Sequence, residues 1–182
     1  MADRFPGEIT LGGTIVINTI EERERVENAL SLFGEYCSHS YGEPRHGHVS
    51  IEEVPELLND SGMLVGKDDQ ARYGEFEEVE AACREAGIGY SRHSSARYEY
   101  DAEQVEWRPG MEEAHLCFAN DGGNLYLQEE TARRILTLLD DGEKPPTERI
   151  EAAKELIKSE LGDHIPALEP FKIIDNAPPS ED

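Results

Sequence analysis

Apolar residues recur at helical spacing in four stretches of the chain and alternate at strand spacing between them. The first apolar run, Ile9 to Ile17, is broken by Gly12-Gly13 and reads as a bulged strand or two short strands in a turn. Thr19 and Glu22 form a capping-box pattern. Val26, Ala29, Leu30 and Phe33 then follow on one helix face, with Gly34 as the expected stop. His48 to Val54 alternates like a strand ending at Pro55, and Glu56 to Asp69 reads as loop or a single turn. A second helix over Glu75 to Ala86 buries Phe76, Val79 and Cys83 and stops at Gly87.

The stretch from Ile88 to Leu127 predicts most of the strands. Ile88 to Arg92, Tyr98 with Tyr100, Val105 with Trp107, and Leu116 with Phe118 all alternate, and Asp101 to Gln104 reads as a hairpin loop. Asn120-Asp121-Gly122-Gly123-Asn124 is a turn, after which Leu125 and Leu127 return. Two helices follow, separated by Pro145-Pro146. One spans Glu129 to Leu139, with Ala132, Ile135, Leu136 and Leu139 inward. The other spans Thr147 to Leu161, with Ile150, Ala153, Ile157 and Leu161 inward. Short connections favour antiparallel pairing, because parallel strands need long crossovers. The expectation is a single α+β domain over residues 1–177, with about four helices on a mainly antiparallel sheet and a frayed tail at 178–182. An echo links Val26-Glu27, Gly34 and Tyr36-Cys37-Ser38-His39-Ser40 to Val79-Glu80, Gly87 and Tyr90-Ser91-Arg92-His93-Ser94. A duplicated helix–strand unit near 20–54 and 74–108 would leave this pattern.

Charge changes the picture most. Forty acids against 17 bases leave a net of −23, and 29 of the acids are Glu. The excess is spread evenly, at −8, −7 and −8 over residues 1–60, 61–120 and 121–182, so it belongs to the fold and not to a tail. Solubility alone needs a net charge of roughly 2–8 in a small domain. Such a field repels nucleic acid and anionic lipid and attracts basic partners. No Lys/Arg cluster suited to a phosphate backbone is present. Three cysteines (Cys37, Cys83 and Cys117) make no disulfide framework, and Met1 to Gly7 lacks a signal-peptide core, so a reduced, cytoplasmic protein is expected.

Candidate chemistry is sparse. Nucleophile-elbow, phosphate-loop, dinucleotide and H-E-x-x-H motifs are all missing, which points away from an enzyme and from any cofactor. Cys37, His39, His46 and His48 are the densest ligand-type set, at spacings less usual than the two-residue spacer of structural zinc sites. Acids gather instead on the outer faces of the first two helices, as Glu21, Glu22, Glu24 and Glu27 and as Glu75, Glu77, Glu78 and Glu80. Others gather around the Asp101 hairpin, as Asp101, Glu103, Glu106, Glu112 and Glu113, with Trp107 as an aromatic anchor if it is exposed.

The segment Gly74-Glu75-Phe76-Glu77-Glu78, Cys83-Arg84, Gly87-Ile88 and Tyr98 through Met111 resembles small acidic proteins carried by phages and mobile elements. That resemblance implies an anti-defence role of the DNA-mimic kind, as in antirestriction and anti-CRISPR proteins, in which carboxylates stand in for phosphates on a basic partner. An immunity protein or antitoxin neutralising a basic toxin is the alternative, and a metal-binding or enzymatic domain around His39 to His48 is the second.

Overall fold

The computed structural model describes residues 3–36, 38–39, 47–97, 100–120 and 124–178, with only the backbone of Tyr36, Ser38 and His39. The fold is α+β. Its elements in chain order are β1 (Arg4–Gly12), β2 (Thr14–Ile17), α1 (Ile20–Tyr36), β3 (Ser38–His39), a 3-10 turn (Ile51–Glu53), α2 (Val54–Leu57), β4 (Leu64–Arg72) and α3 (Glu77–Ala86). There follow β5 (Gly89–Ser94), β6 (Ala102–Trp107), β7 (His115–Ala119), β8 (Leu125–Tyr126), α4 (Glu129–Asp140), α5 (Pro146–Leu161) and β9 (Lys172–Asp175).

Among the described residues, seven strands form one sheet in the order β3-β4-β1-β5-β6-β7-β8, and every neighbouring pair is antiparallel. β4 and β5 both run against β1 on opposite sides, so α3 carries the chain across β1. β2 leaves the sheet at Gly13, a left-handed residue at φ 96°, and pairs in parallel with β9. The Gly12-Gly13 break therefore separates two strands of different sheets. Arg23 closes that corner through a bidentate pair with Asp175, at 2.8 and 3.0 Å.

One hydrophobic cluster joins Ile9, Leu11, Tyr90, Val105 and Trp107 of the sheet to Val26, Leu30 and Phe33 of α1 and Val79 and Cys83 of α3. Thus α1 and α3 share one face of the sheet. The other face is polar along β1, β5 and β6. Cys117, which pairs with Gln104 on that face, donates its thiol to the Glu160 carbonyl at 3.3 Å, so α5 lies behind β7. The Thr19–Glu22 capping box forms as expected. Glu22 N–H donates to Thr19 Oγ1, and the Asn18 and Thr19 N–H groups donate to Glu22 Oε2.

Several local expectations are corrected. α1 runs past Gly34, whose role is packing, since a Cβ there would lie 1.9 Å from the Gly47 carbonyl oxygen. Residues 48–54 form no strand: Ser50 N–H donates to Glu53 Oε2, a 3-10 turn follows, and Pro55 sits in the first turn of α2, where its missing N–H costs nothing. This one-turn helix brings the helices among the described residues to five. The polar stretch before Arg72 contains β4, the full-length partner of β1. Asp101 to Gln104 is not a hairpin loop, because β6 begins at Ala102. In α4 and α5, Ala132, Leu136, Leu139 and Ile150 face solvent, while Thr131 and Ala153 are the buried residues. Gly87 ends α3 in the left-handed conformation, whereas Gly34 lies inside α1.

Candidate functional site

The first turns of α3 are the centre of the local chemistry. Val79 and Cys83 turn one side of this helix into the core, and Glu80 turns inward with them. Its carboxylate is buried and lies 3.0 Å from Nε of Arg92, itself 4% exposed in the middle of β5. Arg92 also pairs with Glu103 on β6 at 3.2 Å and donates to the Gly74 carbonyl at 3.3 Å. The buried Tyr90 hydroxyl donates to Glu80 Oε2 and accepts from Arg84, and burial, helped by the Glu80 charge, pushes its pKa upward. Glu80 is therefore an internal ion-pair partner, which corrects its expected place on the outer face of the helix. A charge needs such partners to be held in a core.

Just outside this network the backbone makes a tight turn. Tyr73 adopts φ 55° and Gly74 φ 69°. A Cβ on Gly74 would lie 2.4 Å from Cβ of Ser94, so the close approach requires glycine. The turn holds Tyr73 and Glu75 at a cavity of about 280 Å³ walled by Phe5, Ser94, Tyr100, Asp101 and Glu103. The Tyr100 ring sits 5.7 Å from that of Tyr73 and 5.9 Å from that of Phe5. On its other side, Glu75 borders a second cavity of about 240 Å³, with Arg4, Arg72, Glu77 and Glu78. Burial raises the Glu75 carboxyl above its ordinary value. Arg92 opposes that rise, and Glu77, Glu103 and Glu80 add to it. A half-buried carboxylate among aromatic rings suits a cationic side chain. Arg72, which borders the second cavity, lies over the Tyr73 ring at 5.6 Å.

The remaining predicted residues fall into three groups. Glu21, Glu24, Glu27, Glu77, Glu78, Glu112 and Glu113 are exposed, and none of them forms an ion pair with another described residue. Asp101 is exposed and accepts the hydroxyl of Tyr126. Glu22 is spent on capping α1. Glu103 is tied to Arg92, and Glu106 is held on the far face of the sheet by Ser91, Gln104 and Arg108. Trp107 is 5% exposed, stacks on Tyr90 at 6.0 Å and donates Nε1–H to the Met111 carbonyl, so it is a core residue and offers a partner no surface.

Of the metal-type set, Cys37 and His46 lie outside the described residues, His39 is placed by backbone alone, and His48 is exposed. Tyr98 and Glu99 also lie outside the described residues. Among the described residues no three His, Cys, Asp or Glu side chains group as metal ligands, and no helix is long and apolar enough to cross a membrane.

Charge is spread evenly along the sequence but unevenly over these elements. Residues 47–86, which include α2, β4 and α3, carry eleven acids and three bases, whereas residues 129–161 of the α4–α5 hairpin carry nine and six. Five of the ten ion pairs among the described residues lie in that hairpin. The bases there pair with their own neighbours, whereas Glu21, Glu24 and Glu27 of α1 and Glu77 and Glu78 of α3 have no ion-pair partner among the described residues.

No family model matches the chain, and neither a curated protein nor a solved structure shows significant similarity to it.

Proposed function

We propose that the protein is a non-enzymatic inhibitor that lays the acidic side carrying α1 and α3 on a basic, nucleic-acid-binding site of a partner protein. The observation that carries this reading is the pairing of unneutralised carboxylates, at Glu21, Glu24, Glu27, Glu77 and Glu78, with an aromatic-walled cavity beside Glu75. Rows of carboxylates supply the long-range field that speeds encounter with a basic surface. The cavity supplies a short-range seat for one Arg or Lys side chain, with Tyr73 and Tyr100 as ring partners and Glu75 as counter-charge. Nucleic acid itself is repelled by the same field. The phage-type resemblance of the 74–111 segment fits an anti-defence inhibitor working in the cytoplasm, where the thiols of Cys83 and Cys117, free in the structure, would stay reduced.

The test is competition. A basic partner is isolated on the immobilised protein and eluted with salt, and its binding to labelled DNA or RNA is then measured with increasing amounts of the acidic protein. Displacement by the wild type, lost in Glu75→Lys/Glu77→Lys/Glu78→Lys, supports the reading. A partner that binds nucleic acid equally well in its presence overturns it.

A further inference from the structure

The α4–α5 hairpin leaves a second kind of surface unused by this reading. Ala132, Leu136 and Leu139 stand at i, i+4 and i+7 on α4, the spacing of an apolar stripe, yet all three face solvent. Leu136 is 60% exposed, Ile150 45% and Leu139 38%. Arg149 Nη1 donates to the Leu139 carbonyl at 2.8 Å, which brings the neighbouring Ile150 to the same end of the hairpin. The hydrophobic cluster under α1 and α3 includes no residue of α4 or α5. A contiguous apolar stripe on an exposed helix marks a contact surface, whereas scattered exposed leucines do not.

The charges around the stripe say what covers it. An open surface depression at the end of α4 is lined by Arg133, Leu136, Thr137, Leu138, Asp140 and Asp141. Arg133 and Asp140 are seven residues apart and so lie on one face, with Leu136 between them. We propose that α4 pairs with α4 of a second copy of this chain about a two-fold axis passing near Leu136. Antiparallel pairing sets Leu136 against its equivalent and brings Arg133 of each copy to Asp140 of the other. A two-fold contact demands such a self-complementary patch, apolar on its axis and opposite in charge at its two ends. Among the described residues the Arg133 side chain pairs with Glu129 one turn away, an exposed pair that costs little to rearrange. The hairpin's nine acids are partly offset by six bases, which lowers the repulsion between two chains of net charge −23 there. The interface is small, so the dimer is weak and concentration-dependent.

Sedimentation velocity over a concentration series, at physiological salt, tests this. The wild type shifts from monomer to dimer as concentration rises. Leu136→Asp weakens self-association by at least about thirtyfold, because both copies lose the apolar anchor at the axis. Its melting temperature stays at the wild-type value, because the side chain is exposed. Arg133→Asp and Asp140→Arg each weaken the dimer, and the double variant, with the charges exchanged, recovers it. A wild type that stays monomeric to its solubility limit overturns the proposal. So does a dimer that Leu136→Asp leaves intact, or a double variant no better than the single ones.

Discussion

Arg92 Nε lies 3.0 Å from Glu80 Oε1 inside the core, joining the middle of the sheet to α3. The same guanidinium reaches Glu103, so one buried cation holds two carboxylates from two elements beneath the Glu75 cavity. Removing the cation leaves both acids without their partner. Arg92→Met is expected to cost about 3–5 kcal/mol in urea denaturation, the usual range for breaking a buried pair from one side. Glu80→Gln, which keeps the shape and a hydrogen-bonding group, is expected to cost less than Arg92→Met. Equal losses for the two variants would mean that the Glu80 charge alone sets the effect, with nothing added by Glu103.

Trp107 carries a second expectation. Its ring is enclosed and stacked on Tyr90, so Trp107→Ala opens a large cavity in the main hydrophobic cluster. A loss of about 3–5 kcal/mol is expected in the same assay. A variant with wild-type stability and weakened partner binding would return Trp107 to the surface.

Glu75 links the cavity to pH. Burial raises its folded-state pKa, so the folded protein holds this proton more tightly than the unfolded chain does. Ionisation therefore costs stability as pH rises from the ordinary carboxylate range through the raised value, and the full cost remains above it. Glu75→Gln is expected to raise the melting temperature at neutral pH, and the gain should vanish as pH falls below the ordinary carboxylate range. A variant that melts lower than wild type at neutral pH would show that the carboxylate is stabilised in place and not strained.

Much of the architecture is legible in the sequence because it rests on local rules. The capping box at Thr19 and Glu22, the left-handed Gly87 after α3, and the alternation through Val105 and Trp107 all act within a few residues. β4 is hidden for a physical reason. Among the described residues β3 covers it only at Gly66 and Lys67, so from Asp68 onward it is an edge that charge protects from unwanted pairing, and Asp68, Asp69 and Gln70 blur its pattern. The site was legible in half. Exposed acids follow from composition. The inward turn of Glu80 depends on Arg92, twelve residues away on another element, and no periodicity carries that information. The cavity depends on the Tyr73-Gly74 turn, which brings Phe5 and Tyr100 together from distant parts of the chain. Leu136 and Leu139 show the converse, since a correct helical stripe was there and its partner was not the core.

The central claim is that surplus charge on α1 and α3 serves the capture of a basic partner. The most direct measurement is the association rate constant for that partner, by stopped flow or surface-based kinetics, from low to physiological salt. Exposed charges are screened beyond about 8–10 Å at that ionic strength. The wild-type on-rate is expected to fall steeply with salt. Glu75→Lys/Glu77→Lys/Glu78→Lys is expected to slow association more than it speeds dissociation. An on-rate indifferent to salt, together with tolerance of these reversals, would contradict the account and reduce the charge to solvation.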